Sequence, residues 1–380
     1  LDRGFEARKI WLTVVVRHVA GNQLPPPFSA SLTWEARTEW VARNPETVER
    51  ALYRADEALD HAGKYHLILF DALDRSADDW KRMNELVRGL LQVMLEFRSY
   101  RRIRLKVFVR FDQIEDPSVK AFPDASKVLS QQTELLWPAH ELYGLFWQYL
   151  ANEPAAGVEF RTGSESLVGV SWQQEDAVWV VPEKLRSDGE AQRRVFHAMT
   201  GEWMGRDRRR GFPYTWLPNH LGDARRQVSP RSFLAALRHA ALDPLRQDQQ
   251  FPLHYESIKK GVQQASEIRK QEIEEDYPWV KRLLDSLTGL SVPCPFEDVR
   301  RVWSQNRVLK ELGGQVKTEQ MRLPPSRIHL GPEGVLEDLI DLGIVERIRD
   351  GRINLPDVYR VGYGIGRRGG VKPVFRRQSS

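Results

Sequence analysis

The segment Tyr65–Arg75, YHLILFDALDR, constrains this chain more than any other. Four apolar residues in succession, Leu67, Ile68, Leu69 and Phe70, end on Asp71, and Asp74 and Arg75 follow. A short unbroken apolar run with polar flanks predicts a parallel-sheet strand buried on both faces. Such a strand carries its terminal carboxylate to the C-terminal edge of the sheet, where open α/β folds bind ligands. The competing reading is a core strand ending at an ordinary helix cap.

The neighbouring pattern alternates. Ile10–Val16, IWLTVVV, is β-branched and aromatic and predicts another buried strand. Residues 21–32, with three consecutive prolines, predict a loop. Asn44-Pro45 predicts a helix start, with Asn as N-cap and Pro at the first helical position. Val48, Leu52, Ala55 and Leu59 then follow at helical spacing, and Gly63 marks the stop. Ser76 and Asp79 resemble a capping box. Trp80, Met83, Val87, Leu90, Met94 and Phe97 mark one face of the long helix beyond it. Ile103–Val109 predicts a third strand, ending at Arg110 and Asp112, and Glu134–Trp137 a fourth. Ala139–Leu150 predicts a further helix. Strands alternating with helices predict a parallel α/β sheet.

From about Glu153 the pattern changes. A Gly/Ser/Glu-rich stretch to about Glu175 predicts a long polar loop, followed by a strand at Ala177–Val181. Helices are expected at about 188–201, 231–242, 254–274 and 279–288. Between them lies the arginine-rich loop Gly205–Gly211, and Ser229-Pro230-Arg231 reads as a helix start. Past Val292-Pro-Cys-Pro295, helices are expected at about 296–305 and near 307–313 or 317–322. Pro332 opens another, with Leu336, Leu339 and Ile340 on one face. Ile344–Arg349 and 352–361 read as two strands joined at Asp350-Gly351, a two-residue hairpin turn. Helices followed by such a hairpin are the layout of a winged helix. The expected domains are an α/β core at 1–153, a mainly helical domain at 154–290 and a winged-helix domain at 291–380.

The 380 residues and 12 Trp are ample for two or three such cores. The single cysteine, Cys294, excludes an internal disulfide and a Cys-based zinc cluster, and fits a reducing cytosol. Histidines are scattered without metal spacing. No apolar run is long enough to span a bilayer, and no signal-peptide pattern is present; a cytoplasmic protein without membrane contact is expected. From Asp350 to Ser380 seven Lys/Arg face two Asp, a surplus equal to the net charge of +5 for the whole chain. This basic tail, with Arg367, Arg368, Lys372, Arg376 and Arg377, is a candidate contact for nucleic acid, phosphate or an acidic protein. The glycine-rich segment Gly362–Gly370 contains a formal G-x-G-x-x-G, but Lys372-Pro373 follows where a dinucleotide site needs a helix. Its glycines predict a path close to another backbone.

These elements resemble a P-loop ATPase of the STAND or KAP-like branch of the AAA+ superfamily. Those proteins combine an α/β nucleotide domain, a helical lid and a winged helix. The Walker B pattern of the KAP-like group, hhhhDDLDR, is matched by LILFDALDR at Asp71, Leu73, Asp74 and Arg75. Arg110 stands where such proteins place a polar sensor residue. Ser229–Leu234 resembles the lid segment whose Pro-Arg opens a helix and sends the Arg, here Arg231, to the γ-phosphate. The resemblance covers most of the chain by layout and about seven residues by motif. It implies a parallel-sheet P-loop core, ATP and Mg²⁺ as cofactors, Asp71 as metal carboxylate, Asp71 and Asp74 as candidate catalytic residues with Asp74 as a base or else a helix cap, and Arg110 and Arg231 as nucleotide contacts.

Two departures qualify it. No G-x-x-x-x-G-K-[ST] is present, so either the phosphate loop lies upstream of Leu1 or the ATPase is degenerate. Ala72 replaces the second acid, which in the family orients the attacking water, so weak hydrolysis or a binding switch is expected. The resemblance further implies a regulatory ATPase signalling to a protein partner or to a homo-oligomer, in systems such as bacterial stress or phage defence. The alternatives are a non-catalytic scaffold and a winged-helix protein that binds a nucleic-acid backbone. The helix at 333–342 carries Glu333, Glu337, Asp338 and Asp341 and no Lys or Arg, so it is not expected to enter a DNA groove.

Overall fold

The structure, a computed structural model, describes residues 6–25, 28, 33–243, 250–318 and 321–373. The chain forms two compact units, residues 1–134 with 322–324, and residues 135–321 with 325–380. The boundaries expected at 153 and 290 both fall inside the second unit. The fold is mixed α/β, rich in helix, with only small sheets.

In the first unit, the run expected as a strand at Ile10–Val16 is helical and belongs to α1 (Ala7–Ala20). Its β-branched residues are held by tertiary contacts that outweigh strand propensity. Val15 and Val16 are fully buried, Thr13 bonds back to the Lys9 carbonyl, and Trp11 Nε1 donates to the Leu86 carbonyl at 2.8 Å. Gly89 permits the close approach: a Cβ there would lie 2.6 Å from the Arg8 nitrogen. Helices α2 (Trp34–Arg43) and α3 (Pro45–His61) follow. Pro45 occupies the first turn as expected, but the Asn44 side chain bonds the Trp40 carbonyl of α2 instead of capping α3.

Strand β1 (His66–Phe70) forms as expected. Helix α4 (Trp80–Glu96) is capped by Asp79, which accepts the Arg82 N–H, so the Ser76–Asp79 capping box is not made. Met83, Val87 and Leu90 of α4 are fully buried. Strand β2 (Ile103–Val107) pairs parallel with β1, His66 beside Ile103 and Phe70 beside Val107. The Phe108 N–H extends the pairing to the Phe70 carbonyl at 2.8 Å. Among the described residues this sheet has two strands, and Glu134–Trp137 is not one of them. Burial on both faces is therefore corrected. Ile68, Phe70, Ile103 and Leu105 pack into the core with α1 and α4. Leu67 and Leu69 are 53% and 58% exposed and share their face with Arg104 and Lys106. Asp56 of α3 fixes the start of β2, accepting the N–H groups of Arg101, Arg102 and Ile103 at 2.7–3.0 Å. Short helices α5 (Phe111–Glu115), α6 (Pro117–Lys120) and α7 (Ala125–Leu129) complete the unit.

The second unit opens with α8 (Ala139–Ala151), as expected. The stretch expected as a polar loop contains a helix, α9 (Gly157–Val168). Its polar composition hides an apolar edge: Phe160 stacks on Trp147, and Ser164 accepts the Trp172 indole N–H at 2.9 Å. Strands β3 (Gln173–Glu175) and β4 (Val178–Val180) form an antiparallel hairpin. Helices α10 (Glu183–Ser187), α11 (Gly189–Thr200), α12 (Pro213–Leu221), α13 (Pro230–Leu242) and α14 (Tyr255–Asp276) surround a core containing Tyr143, Trp147, Phe196 and Phe233, and α15 (Pro278–Asp285) follows. Helices α13 and α14 meet backbone to backbone at Gly261, where a Cβ would lie 2.2 Å from the Ala236 carbonyl oxygen.

After β5 (Ser291–Val292) come α16 (Phe296–Gln305), α17 (Val308–Lys317) and α18 (Gly331–Asp341). Strands β6 (Glu346–Arg347) and β7 (Ile353–Asn354) pair antiparallel, but the expected two-residue turn is corrected to a three-residue loop, 349–351: the Ile348 N–H donates to the Arg352 carbonyl, and Gly351, left-handed at φ +83°, donates to the Ile348 carbonyl. The strand expected over 352–361 is much shorter, because Pro356 has no N–H for a ladder and instead precedes a helical turn, α19 (Asp357–Arg360). Strand β8 (Gly366–Arg367) pairs parallel with β5. The tail to Val371 is therefore packed structure: Tyr359, Arg360, Tyr363, Ile365 and Val371 are all buried. Among the described residues no helix is long and apolar enough to cross a membrane.

Candidate functional site

Because β1 and β2 run parallel, both deliver their C-terminal ends to one edge. Asp71 leaves β1 there, exposed to solvent. Its Oδ1 accepts the Ala72 N–H at 2.7 Å, and its other carboxylate oxygen has no partner among the described residues. Ala72 is left-handed, at φ 54° and ψ 38°, a conformation that costs an L-residue roughly 1–2 kcal/mol. The kink drops Leu73 into the core and starts the 3₁₀ turn Leu73–Arg75. Asp74 lies in that turn, and its side chain is outside the described residues.

Arg110 stands three residues past β2, at the N-cap of α5. Its Nε donates to Asp112 at 3.2 Å and its backbone N–H to Gln113 at 3.2 Å. Asp71 and Arg110 thus share the sheet edge that the sequence predicted for them. Arg231 lies in the other unit, in the first turn of α13. Its guanidinium bonds Glu272 of α14 at 2.6 Å, and Glu272 also holds Arg269, whose Nε donates to the Tyr359 hydroxyl. Among the described residues no group of three or more His, Cys, Asp or Glu is placed to hold a metal. Mg²⁺ bound with phosphates commonly takes one or two protein carboxylates and fills its remaining positions with water and phosphate oxygens. The half-free Asp71 carboxylate fits that pattern.

Sequence reading missed a second acid–arginine pair, between Asp357 and Arg360 of α19. Both side chains are almost fully buried. Arg360 Nε donates to Asp357 Oδ1 at 2.7 Å, and its two terminal nitrogens donate to the carbonyls of Ile365 and Val371. Asp357 Oδ2 accepts the Val371 N–H at 3.2 Å and lies 3.7 Å from His220 Nε2. Burial pushes the His220 imidazole below its ordinary value, against the pull of Asp357. Gly370 is needed here: it sits at φ +74°, and a Cβ would lie 3.0 Å from both Arg360 and Asp357. The D-x-x-R spacing after Pro356 was a usable signal, obscured because the segment read as a strand.

Of the basic tail, Arg367 lies 3.5 Å from Asp357, Arg368 and Lys372 are exposed, and Arg376 and Arg377 are outside the described residues. The four acids of α18 each meet an arginine: Glu333 with Arg300, Glu337 with Arg347, and Asp338 and Asp341 with Arg327. The chain matches no family model, no curated protein and no solved structure.

Proposed function

We propose that this chain is an ATP-binding regulatory module with Mg²⁺ at the C-terminal edge of β1 and β2, signalling its nucleotide state to a protein partner. The observation that carries the reading is the parallel pair whose shared edge presents both Asp71 and Arg110. Ligands of open α/β sheets bind at that edge. Asp71 would hold the metal through its free oxygen, and Arg110 would face phosphate after loosening its 3.2 Å contact with Asp112. Mg²⁺ would supply neutralisation of phosphate charge. Ala72 has no acid to orient a water, so turnover is expected to be slow. A sensor role for Arg231 requires opening its pair with Glu272, and the proposed site is built without it.

The second reading is a non-catalytic scaffold. It is favoured by the outer face of the two-stranded sheet, where Tyr65, Leu67 and Leu69 are each more than half exposed. Calorimetric titration of ATP, with and without Mg²⁺, separates the two. Mg²⁺-dependent heat that is lost in Asp71→Ala supports the nucleotide site, whereas a folded protein that shows none leaves the scaffold reading.

A further inference from the structure

The second unit carries a cationic feature that the nucleotide reading does not use. Residues 204–211 close on themselves, the Met204 N–H donating to the Gly211 carbonyl at 2.9 Å, with Met204 buried as the anchor. Inside this loop Asp207 opens the 3₁₀ turn Arg208–Arg210 by accepting the Arg209 N–H, and the Arg210 and Gly211 N–H groups bond back to the Asp207 and Arg208 carbonyls. The backbone is therefore tied down while Arg206, Arg208, Arg209 and Arg210 are exposed. Among the described residues no carboxylate pairs with any of these four guanidinium groups. The acids in the same segment are Glu202 and Asp207, and Asp207 is engaged with the backbone. Several other arginines of this unit are paired: Arg300 with Glu297, Arg301 with Asp298, Arg327 with Asp338 and Arg347 with Glu337.

At the root of the loop Phe212 lies under the Arg193 guanidinium at 4.3 Å and meets Trp203 at 4.8 Å and His197 at 5.9 Å. Arg193 thereby adds a fifth cation beside the loop, shared with Glu190 at 4.0 Å. We infer that the Gly205–Gly211 loop is a binding site for the phosphodiester backbone of a nucleic acid. With three residues per 3₁₀ turn, the side chains of Arg208, Arg209 and Arg210 leave the backbone in different directions, which favours spaced phosphates over one small anion. They suit a polymer that presents phosphates repeatedly, each matched by the two-pronged guanidinium fork. A preformed turn lowers the ordering cost of binding. Contacts to phosphate alone predict little base preference and steep salt dependence.

The inference is independent of Asp71 and Arg110, and so is its test. Fluorescence anisotropy with a labelled single-stranded DNA and its duplex would follow affinity across a salt series. The wild-type protein is expected to bind more weakly as salt rises. Arg208→Ala/Arg209→Ala is expected to flatten the plot of log affinity against log salt by about 1 for each guanidinium–phosphate pair removed. The charge-keeping pair Arg208→Lys/Arg209→Lys is expected to restore most of the slope. Arg50→Ala/Arg54→Ala, which removes the same charge from exposed positions of α3, is expected to leave it unchanged. Matching circular dichroism spectra would establish that each variant is folded. Absence of salt-sensitive binding, or an alanine pair indistinguishable from wild type, would overturn the inference. Displacement of the DNA by polyglutamate at equal charge concentration would also overturn it, in favour of an acidic protein partner.

Discussion

Asp71 with Arg110 and Asp357 with Arg360 are both acid–arginine settings at the end of a regular element, yet they differ in how far their valences are filled. Asp357 and Arg360 are dry, and together they satisfy each other, two carbonyls and one backbone N–H. Asp71 is wet, and among the described residues it holds its neighbour's N–H and leaves one oxygen open. Arg110 donates to the Asp112 side chain at 3.2 Å. A buried pair with both carboxylate oxygens bonded within the fold leaves no open oxygen for a ligand, and breaking one half leaves a charge without water. An exposed carboxylate at a solvent-facing sheet edge costs little to rearrange. The difference separates charges that hold the fold from a carboxylate oxygen left open at the sheet edge.

The largest effect should come from breaking the buried pair. Asp357→Ala leaves Arg360 charged and unpaired inside the second unit and is expected to cost about 3–5 kcal/mol in urea unfolding. A loss below about 1 kcal/mol would show that the pair is not the structural hub described above. Gly370→Ala should cost more than Gly63→Ala. Both positions are left-handed, which alone costs roughly 1–2 kcal/mol, but only at Gly370 would the new methyl press on Arg360 and Asp357. Equal losses in the two variants would break that distinction.

Acid should separate the units. Burial lowers the pKa of His220, and of His197 with help from Arg193, below 6.5. Their unfolded forms bind protons first, so the stability they contribute is full above about pH 6.5 and is lost as pH falls through the folded values. Burial raises Asp223, an opposing effect confined to the range just above 3.8. In the first unit burial pushes Asp56 up, but three backbone N–H bonds outweigh it and leave the carboxylate below 3.8. Its contribution persists until pH falls below about 3.8. Hydrogen exchange between pH 7 and pH 3 should therefore show protection falling first in the second unit; simultaneous loss would contradict this. The smallest effect on stability belongs to Asp71→Ala, expected within about 0.5 kcal/mol because nothing buried depends on it.

How much of this was legible follows the range of the deciding contacts. Leu67–Phe70 was readable as a strand because its bounds, Gly63 and Asp71, lie within the segment. Ile10–Val16 has the same kind of composition but became helical because Gly89 and the Leu86 carbonyl, more than 70 residues away, offer it a helix-shaped seat. The polar stretch before Glu175 concealed α9, whose apolar edge is only Phe160, Leu167 and Val168. At the candidate site, strand ends placed Asp71 and Arg110, since both follow directly from where an apolar run stops. The pairing of Arg231 with Glu272 is 41 residues apart and left no local trace. The Asp357 cluster draws on α12, α19 and the tail, and no single window contains it.

The central claim is that the half-free carboxylate at the edge of β1 holds the metal of a bound nucleotide. The most direct measurement is calorimetric titration of ATP into the wild-type protein and Asp71→Ala, each with Mg²⁺ and with EDTA. Mg²⁺-dependent binding that Asp71→Ala weakens at least tenfold, with an unchanged unfolding midpoint, is the predicted result. Binding that is absent from the folded wild-type protein, or indifferent to Mg²⁺ and to Asp71, would contradict it.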